Sequence, residues 1–186
     1  ETDDLATVYR VPPGGGRMTP ETELRYFYGP PLRNPQTVAV RGGFELFVTT
    51  FDRDRRLGVV YRLIDGRAEL FAGGTPPRET PPLLRQPEGA AVDSTGRLYV
   101  ADRESGRVVR LDPAGRVLDP HYVVVQRPRV LAVDANDVLW IGADGNAEAP
   151  LQQGPGEIWR VPLDVLPALL LRGPIPAAIA VSADGH

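Results

Sequence analysis

One four-residue phrase recurs four times in this chain. It reads Val8-Tyr9-Arg10-Val11, Val60-Tyr61-Arg62-Leu63, Val108-Val109-Arg110-Leu111 and Ile158-Trp159-Arg160-Val161, with its arginines 52, 48 and 50 residues apart. An opening phrase repeats with it: PQTVAVR from Pro35, PEGAAVD from Pro87, PRVLAVD from Pro128 and PAAIAVS from Pro176. A third, ELFVTT, RLYVAD and VLWIGA, follows each of the first three openings at one offset. Repeats of roughly 40–50 residues, each with several short strands, restrict a chain to few architectures, and the β-propeller fits best.

The stretch from Pro87 to Tyr122 shows the unit. Ala90-Ala91-Val92, Leu98 to Ala101, Val108 to Leu111 and Val117-Leu118 are strand signals, separated by Ser94-Thr95-Gly96, Arg103 to Gly106 and Asp112 to Gly115. Runs rich in Val, Leu and Tyr between Gly, Asp, Ser and Pro read as antiparallel strands with tight turns. Such a sheet cannot bury both its faces, so it needs neighbours like itself. The expected fold is therefore all-β, a propeller of four-stranded antiparallel blades with about four blades represented.

In chain order, residues 1–33 read as the outer half of a blade, with strands at Leu5 to Val11 and Leu24 to Tyr28. Blades follow at 34–86, 87–127 and 128–173, and 174–186 reads as the first strand of a further one. Within the first of these, Thr75 to Gln86 is proline-rich and reads as an extended connector, or as a polyproline-type recognition segment. Residues Asp144 to Gly156 form an inserted loop in the last complete blade. A ring so partitioned leaves free strand edges. The expectation is that the rest of the propeller, or another protomer, closes it, and that these residues alone self-associate.

Composition removes several function classes. The net charge of −3 gives no bulk attraction to nucleic acid, and all 21 basic residues are arginine. Zero cysteine excludes disulfides, thiolate metal sites and a cysteine nucleophile, and leaves the compartment open; an extracytoplasmic location is the working expectation. The most apolar stretch, Val161 to Val181, contains Asp164, Arg172 and four prolines, so no membrane span is expected. The two histidines, His121 and His186, lie at an outer-strand start and at the last residue, which leaves histidine-based acid–base catalysis without its base. GGG at 14–16 precedes no helix signal and is not a phosphate loop.

The phrase PEGAAVDSTGRLYVADRESGRVVRLD resembles the repeat of the NHL and gluconolactonase-like six-bladed propellers, a superfamily that includes paraoxonases and strictosidine synthase. That resemblance implies the propeller fold over nearly the whole chain, whereas the fold alone does not fix a function. It also implies that loops before the first strand and after the second share one face around the central channel. Asn34, Gln36, Glu88 and Arg129 then come from strand entrances, and Asp52, Arg53, Asp102, Arg103, Asp144 and Asn146 from the other loops. Acidic and basic side chains converging there suit a polar ligand or a metal; the alternative is a solvated rim of turn residues. Asp93 and Asp134 fall on the opposite face and read as turn residues.

Gluconolactonase-like enzymes hold a divalent cation, such as calcium, with carboxylates and asparagines near the opening position. The matching residues here are Gln36, Glu88, Arg129 and Ala177, of which only the first two carry ligand oxygens. Asp144, Asn146 and Glu148 sit at alternate positions in the inserted loop and are weaker metal candidates. The repeated Arg10, Arg62, Arg110 and Arg160 read as blade-to-blade packing or ion-pair residues.

Three readings of function remain. The first is a non-catalytic propeller, a subunit or module that binds a protein partner or a small polar ligand. The second is a metal-dependent hydrolase or lyase of the gluconolactonase type. The third is a quinone-dependent sugar dehydrogenase.

Overall fold

The computed structural model describes residues 5–16, 25–52, 57–74, 82–145, 155–163 and 165–181, with Leu5, Arg25 and Asp52 described in their backbone alone. Every regular element among them is a strand. Strands β1 (Leu5–Tyr9) and β2 (Arg25–Arg33) pair as a two-stranded sheet. The first four-stranded sheet contains β3 (Pro35–Arg41), β4 (Glu45–Asp52), β5 (Leu57–Ile64) and β6 (Arg67–Gly73). The second contains β7 (Pro87–Val92), β8 (Leu98–Asp102), β9 (Arg107–Leu111) and β10 (Val117–Val124). The third contains β11 (Pro128–Val133), β12 (Leu139–Ala143), β13 (Gly156–Val161) and β14 (Ala168–Gly173). Each sheet is an antiparallel meander, with strands paired in chain order. This is the propeller architecture that the repeat predicts.

Local chemistry makes the turns. Between β5 and β6 the two-residue turn Asp65-Gly66 takes φ of 50° and 71°, the left-handed pair that matches the twist of a hairpin. After β7, the Asp93 carboxylate accepts the backbone N–H of Thr95 at 2.9 Å and of Arg97 at 3.0 Å. Its other oxygen takes Arg97 Nε at 2.6 Å and the Tyr99 hydroxyl at 2.9 Å. Asp134 does the same after β11, with Asn136, Val138 and the Trp140 indole N–H. In the first sheet the charges are exchanged: Arg41 stands where Asp93 does, and Glu45 where Arg97 does, joined at 2.6 and 2.8 Å.

Hydrophobic burial lies between sheets. Phe47, Val60 and Ala72 of the first sheet pack with Leu98, Val100, Val109 and Leu111 of the second. Tyr99, Val108 and Val123 of the second pack with Leu139, Ile141 and Val161 of the third. Val8, Phe27 and Leu32 cover Val48 and Leu63. Val100, Val108 and Leu111 are fully buried, whereas Val92 is half-buried at the edge of its cluster.

Several local expectations change. Strand β2 begins at Arg25 and runs on to Arg33, past the expected end at Tyr28, and meets β3 through Asn34 at φ 44°. Phe47, Tyr99 and Trp140 share one repeat position; Phe47 packs with the second sheet and Tyr99 with the third, and both are buried, whereas Trp140 is half-buried. Of the two readings for the repeated arginines, Arg62 takes the ion-pair one, within its own sheet. Arg62 pairs with Glu45 and Glu69, and Arg110 lies 4.5 Å from the Tyr122 ring centre. Arg41 instead crosses the joint, donating to the carbonyls of Gly96 at 3.0 Å and Pro113 at 3.1 Å. Residues 174–181 form no strand among the described residues; Pro176 and Ile179 pack over Gly142.

Candidate functional site

The first strands β3, β7 and β11 lie side by side, so their second residues meet: Gln36, Glu88 and Arg129. In all three sheets the ladder to the next strand slips at this point. Register breaks between Pro35 and Thr37, between Pro87 and Ala90, and between Pro128 and Val130. A bulge leaves its extra residue unpaired and re-aims its side chain, which is why bulges gather at functional sites. Here each bulge falls on the expected opening residue. Together with Thr37, Gly89, Val130, Leu131, Ala177, Ala178 and Ile179 they line a cavity of ≈ 300 Å³. Thus the four opening positions, Gln36, Glu88, Arg129 and Ala177, border one space.

A charged network closes this mouth. Glu88 Oε1 accepts Arg103 Nη1 at 3.2 Å and the Gln86 amide at 3.1 Å, while Oε2 accepts Arg129 Nε at 3.2 Å. Asp144 Oδ2 accepts Arg103 Nε at 3.1 Å and Nη2 at 2.5 Å, with Arg127 Nη2 at 3.3 Å. Its Oδ1 lies 3.5 Å from Arg129 Nη1. Arg103 and Asp144 occupy the same repeat position, one residue beyond β8 and β12, so the pair joins two sheets. Backbone contacts brace the frame: the Thr49 hydroxyl donates to the Glu88 carbonyl at 2.8 Å, and Arg103 N–H to the Gln86 carbonyl at 2.9 Å. A second hollow of ≈ 270 Å³, lined by Gln86, Arg103, Glu104 and Arg127, opens beside the network.

Other expected site residues stand elsewhere. Asp102 is fully buried; its Oδ1 accepts the backbone N–H groups of Arg85 and Gln86 at 3.0 and 2.8 Å, and its Oδ2 faces Arg107 Nε at 3.6 Å. It fastens the end of the connector to the second sheet and does not reach the mouth. Gln36 does line the cavity, but it is exposed and its amide donates to the Asn34 carbonyl at 3.0 Å, outside the charged network. The Asp52 backbone pairs with Leu57 at the tip of a longer hairpin. Arg53, Asn146 and Glu148 lie outside the described residues. Arg127, Gln86 and Thr49 belong to the site but were missed. Arg127 and Gln86 each precede an opening proline, as Asn34 does, and that shared offset is the signal that finds them.

The donor set does not fit a divalent cation. A cation of that kind takes six or more oxygens, or keeps waters on open carboxylates. Both oxygens of Glu88 and of Asp144 already face guanidinium groups, whose charge opposes a cation. Among the described residues no three His, Cys, Asp or Glu side chains are placed to hold a metal.

Comparison with known proteins agrees with the repeat. The NHL repeat family model matches residues 84–111. Over 53 residues, 28% of this chain and 18% of the relative, the sequence is 40% identical to a 6-deoxy-6-sulfogluconolactonase of Pseudomonas putida. Two solved structures share the fold. Virginiamycin B lyase from Staphylococcus aureus matches at TM-score 0.57 and 14% identity, over 95% of this chain and 50% of that one. A nidogen/laminin complex matches at TM-score 0.60 and 17% identity, over 81% of this chain and 53% of that one. The chain spans about half the length of these structures, and the matched stretch a smaller part of the lactonase.

Proposed function

For this chain, a β-propeller of the NHL-repeat and gluconolactonase-like superfamily, we propose a role as a binding module that takes a small polar ligand at the channel mouth. One observation carries the reading: three successive bulges aim Gln36, Glu88 and Arg129 into a single cavity. Repeated distortion of three sheets at one position is a cost that packing alone does not require. The network around the cavity is held from both sides of a sheet joint, so its hydrogen-bonding groups are set before a ligand arrives. Preorganisation of that kind favours affinity, because little side-chain freedom is lost on binding.

A thermal-unfolding screen of the chain against small polar metabolites tests this. A ligand that binds the folded state raises the midpoint with its concentration. The expected result is a saturable rise with some members of the panel, lost in Arg129→Ala. No rise with any member would overturn the proposal.

The 40% identity to a lactonase over 53 residues favours lactone hydrolysis as a second reading, metal-dependent as the gluconolactonase-like resemblance implies. Since the donor set at Glu88 is occupied by arginine, that activity would need ligands other than those described. Cation-dependent opening of a lactone by this chain, abolished by Glu88→Ala, would replace the binding proposal with it.

A further inference from the structure

We infer that the mouth selects a small organic anion, a carboxylate, sulfonate or phosphate carried on a compact body, and that Asp144 and Glu88 stand in for it when it is absent. The inference rests on the binding reading above and adds the sign of the ligand's charge.

The argument is one of counting. Arg103, Arg127 and Arg129 bring three positive charges to two carboxylates. The adjoining pairs are balanced: Arg85 faces Glu104 at 3.8 Å, and Arg107 faces Asp102 at 3.6 Å. Among the described residues the mouth therefore carries one excess positive charge. Donors exceed acceptors as well. Each guanidinium has five N–H groups in a planar fork, and a carboxylate accepts at about four lone-pair sites. Asp144 Oδ2 is already shared between Arg103 and Arg127, and the Glu88 oxygens between Arg103, Arg129 and Gln86. Among the described residues several N–H groups of Arg127 and Arg129 face no carboxylate, and these side chains are 45% and 39% exposed.

Geometry says where the anion goes. Arg129 reaches one oxygen of each carboxylate at long hydrogen-bond distances, 3.2 Å and 3.5 Å, and lines the cavity itself. An oxyanion entering there takes the remaining fork of Arg129 bidentately, the arrangement for which arginine is suited. Val130, Leu131, Ala177 and Ile179 add an apolar part to the lining. A bare ion would leave that part in water, whereas a compact organic body covers it.

Three matched probes separate charge from shape: glucuronate, glucose and glucosamine differ in charge on one ring, and inorganic phosphate is a fourth. Calorimetric titration at fixed ionic strength should show glucuronate binding about tenfold or more tightly than glucose, the difference expected of a charge-assisted hydrogen bond. Arg129→Gln should erase that preference. Glu88→Gln should strengthen glucuronate severalfold, because it frees the Arg129 Nε–H and removes a negative charge. Arg127→Gln, at the more exposed position, gives a weaker loss and guards against misfolding of the first variant. Saturable phosphate binding with the same pattern of variants supports the same conclusion. If glucose and glucuronate bind equally, or glucosamine binds best, the anion inference fails and the binding proposal stands. If none of the four binds, the anion inference fails, and the binding proposal is decided by the metabolite panel.

Discussion

Glu88 and Arg129 occupy the same place in neighbouring sheets, each on a bulge, and meet at 3.2 Å. Their contact depends on how closely β7 and β11 approach. A Cβ on Gly89 would lie 2.5 Å from the Arg129 carbonyl oxygen, so only glycine allows this spacing. Gly89→Ala should push β11 outward, cost about 1–3 kcal/mol and weaken ligand binding even though no ligand-facing group is removed. Denaturant titration alongside calorimetry checks it.

Arg103 joins the second sheet to Asp144 of the third through two N–H groups on one oxygen. Arg103→Ala leaves Asp144, 5% exposed, with poorer partners and should cost about 2 kcal/mol. In a double-mutant cycle with Asp144→Asn the two losses should fall short of additive by about 0.5–3 kcal/mol. Strict additivity would mean that the pair does not couple the sheets.

The repeat made the strands, their order and the opening positions legible, since Pro35, Pro87 and Pro128 each begin a strand at a fixed place. It could not show the bulges, which are properties of pairing between strands and leave no mark in composition. Asp102 misled for a related reason. Its turn position resembles that of Arg103 beside it, but successive residues on an extended chain point to opposite sides. Its carboxylate goes to the connector, while Arg103 goes to the mouth. Trp140 shares the repeat position of Phe47 and Tyr99, yet position does not fix burial, which depends on what packs against the residue's own sheet.

That difference gives a packing prediction. Phe47 is fully buried between two sheets, and Phe47→Ala should cost about 3–5 kcal/mol. Trp140→Ala should cost less, about 1–3 kcal/mol, because its ring is only half-buried. Equal losses would show that Trp140 is packed as tightly as Phe47.

Acid should destabilise the protein through its turn aspartates. Burial alone would raise the Asp93 carboxyl, but hydrogen bonds from Thr95, Arg97 and Tyr99 outweigh it and hold the group below its ordinary value. Asp134 is held low in the same way by Trp140 and two backbone N–H groups. A carboxyl depressed by folding adds stability at pH above its unfolded value, about 3.9, and that contribution is lost as pH falls through the folded value. The aspartate contribution should therefore be flat from about pH 5 to neutrality and fall below about pH 4. Asp93→Asn should flatten that acid limb, which urea titrations at stepped pH will read.

The central claim is that the channel mouth is an arginine-governed ligand site and not a cation site. Anomalous diffraction from crystals soaked in parallel with bromide and with manganese tests it most directly. The account predicts a bromide peak against Arg129 in the cavity shared with Gln36 and Glu88, and no manganese peak at Glu88. Manganese bound to Glu88, with Arg103 and Arg129 turned away, would contradict it.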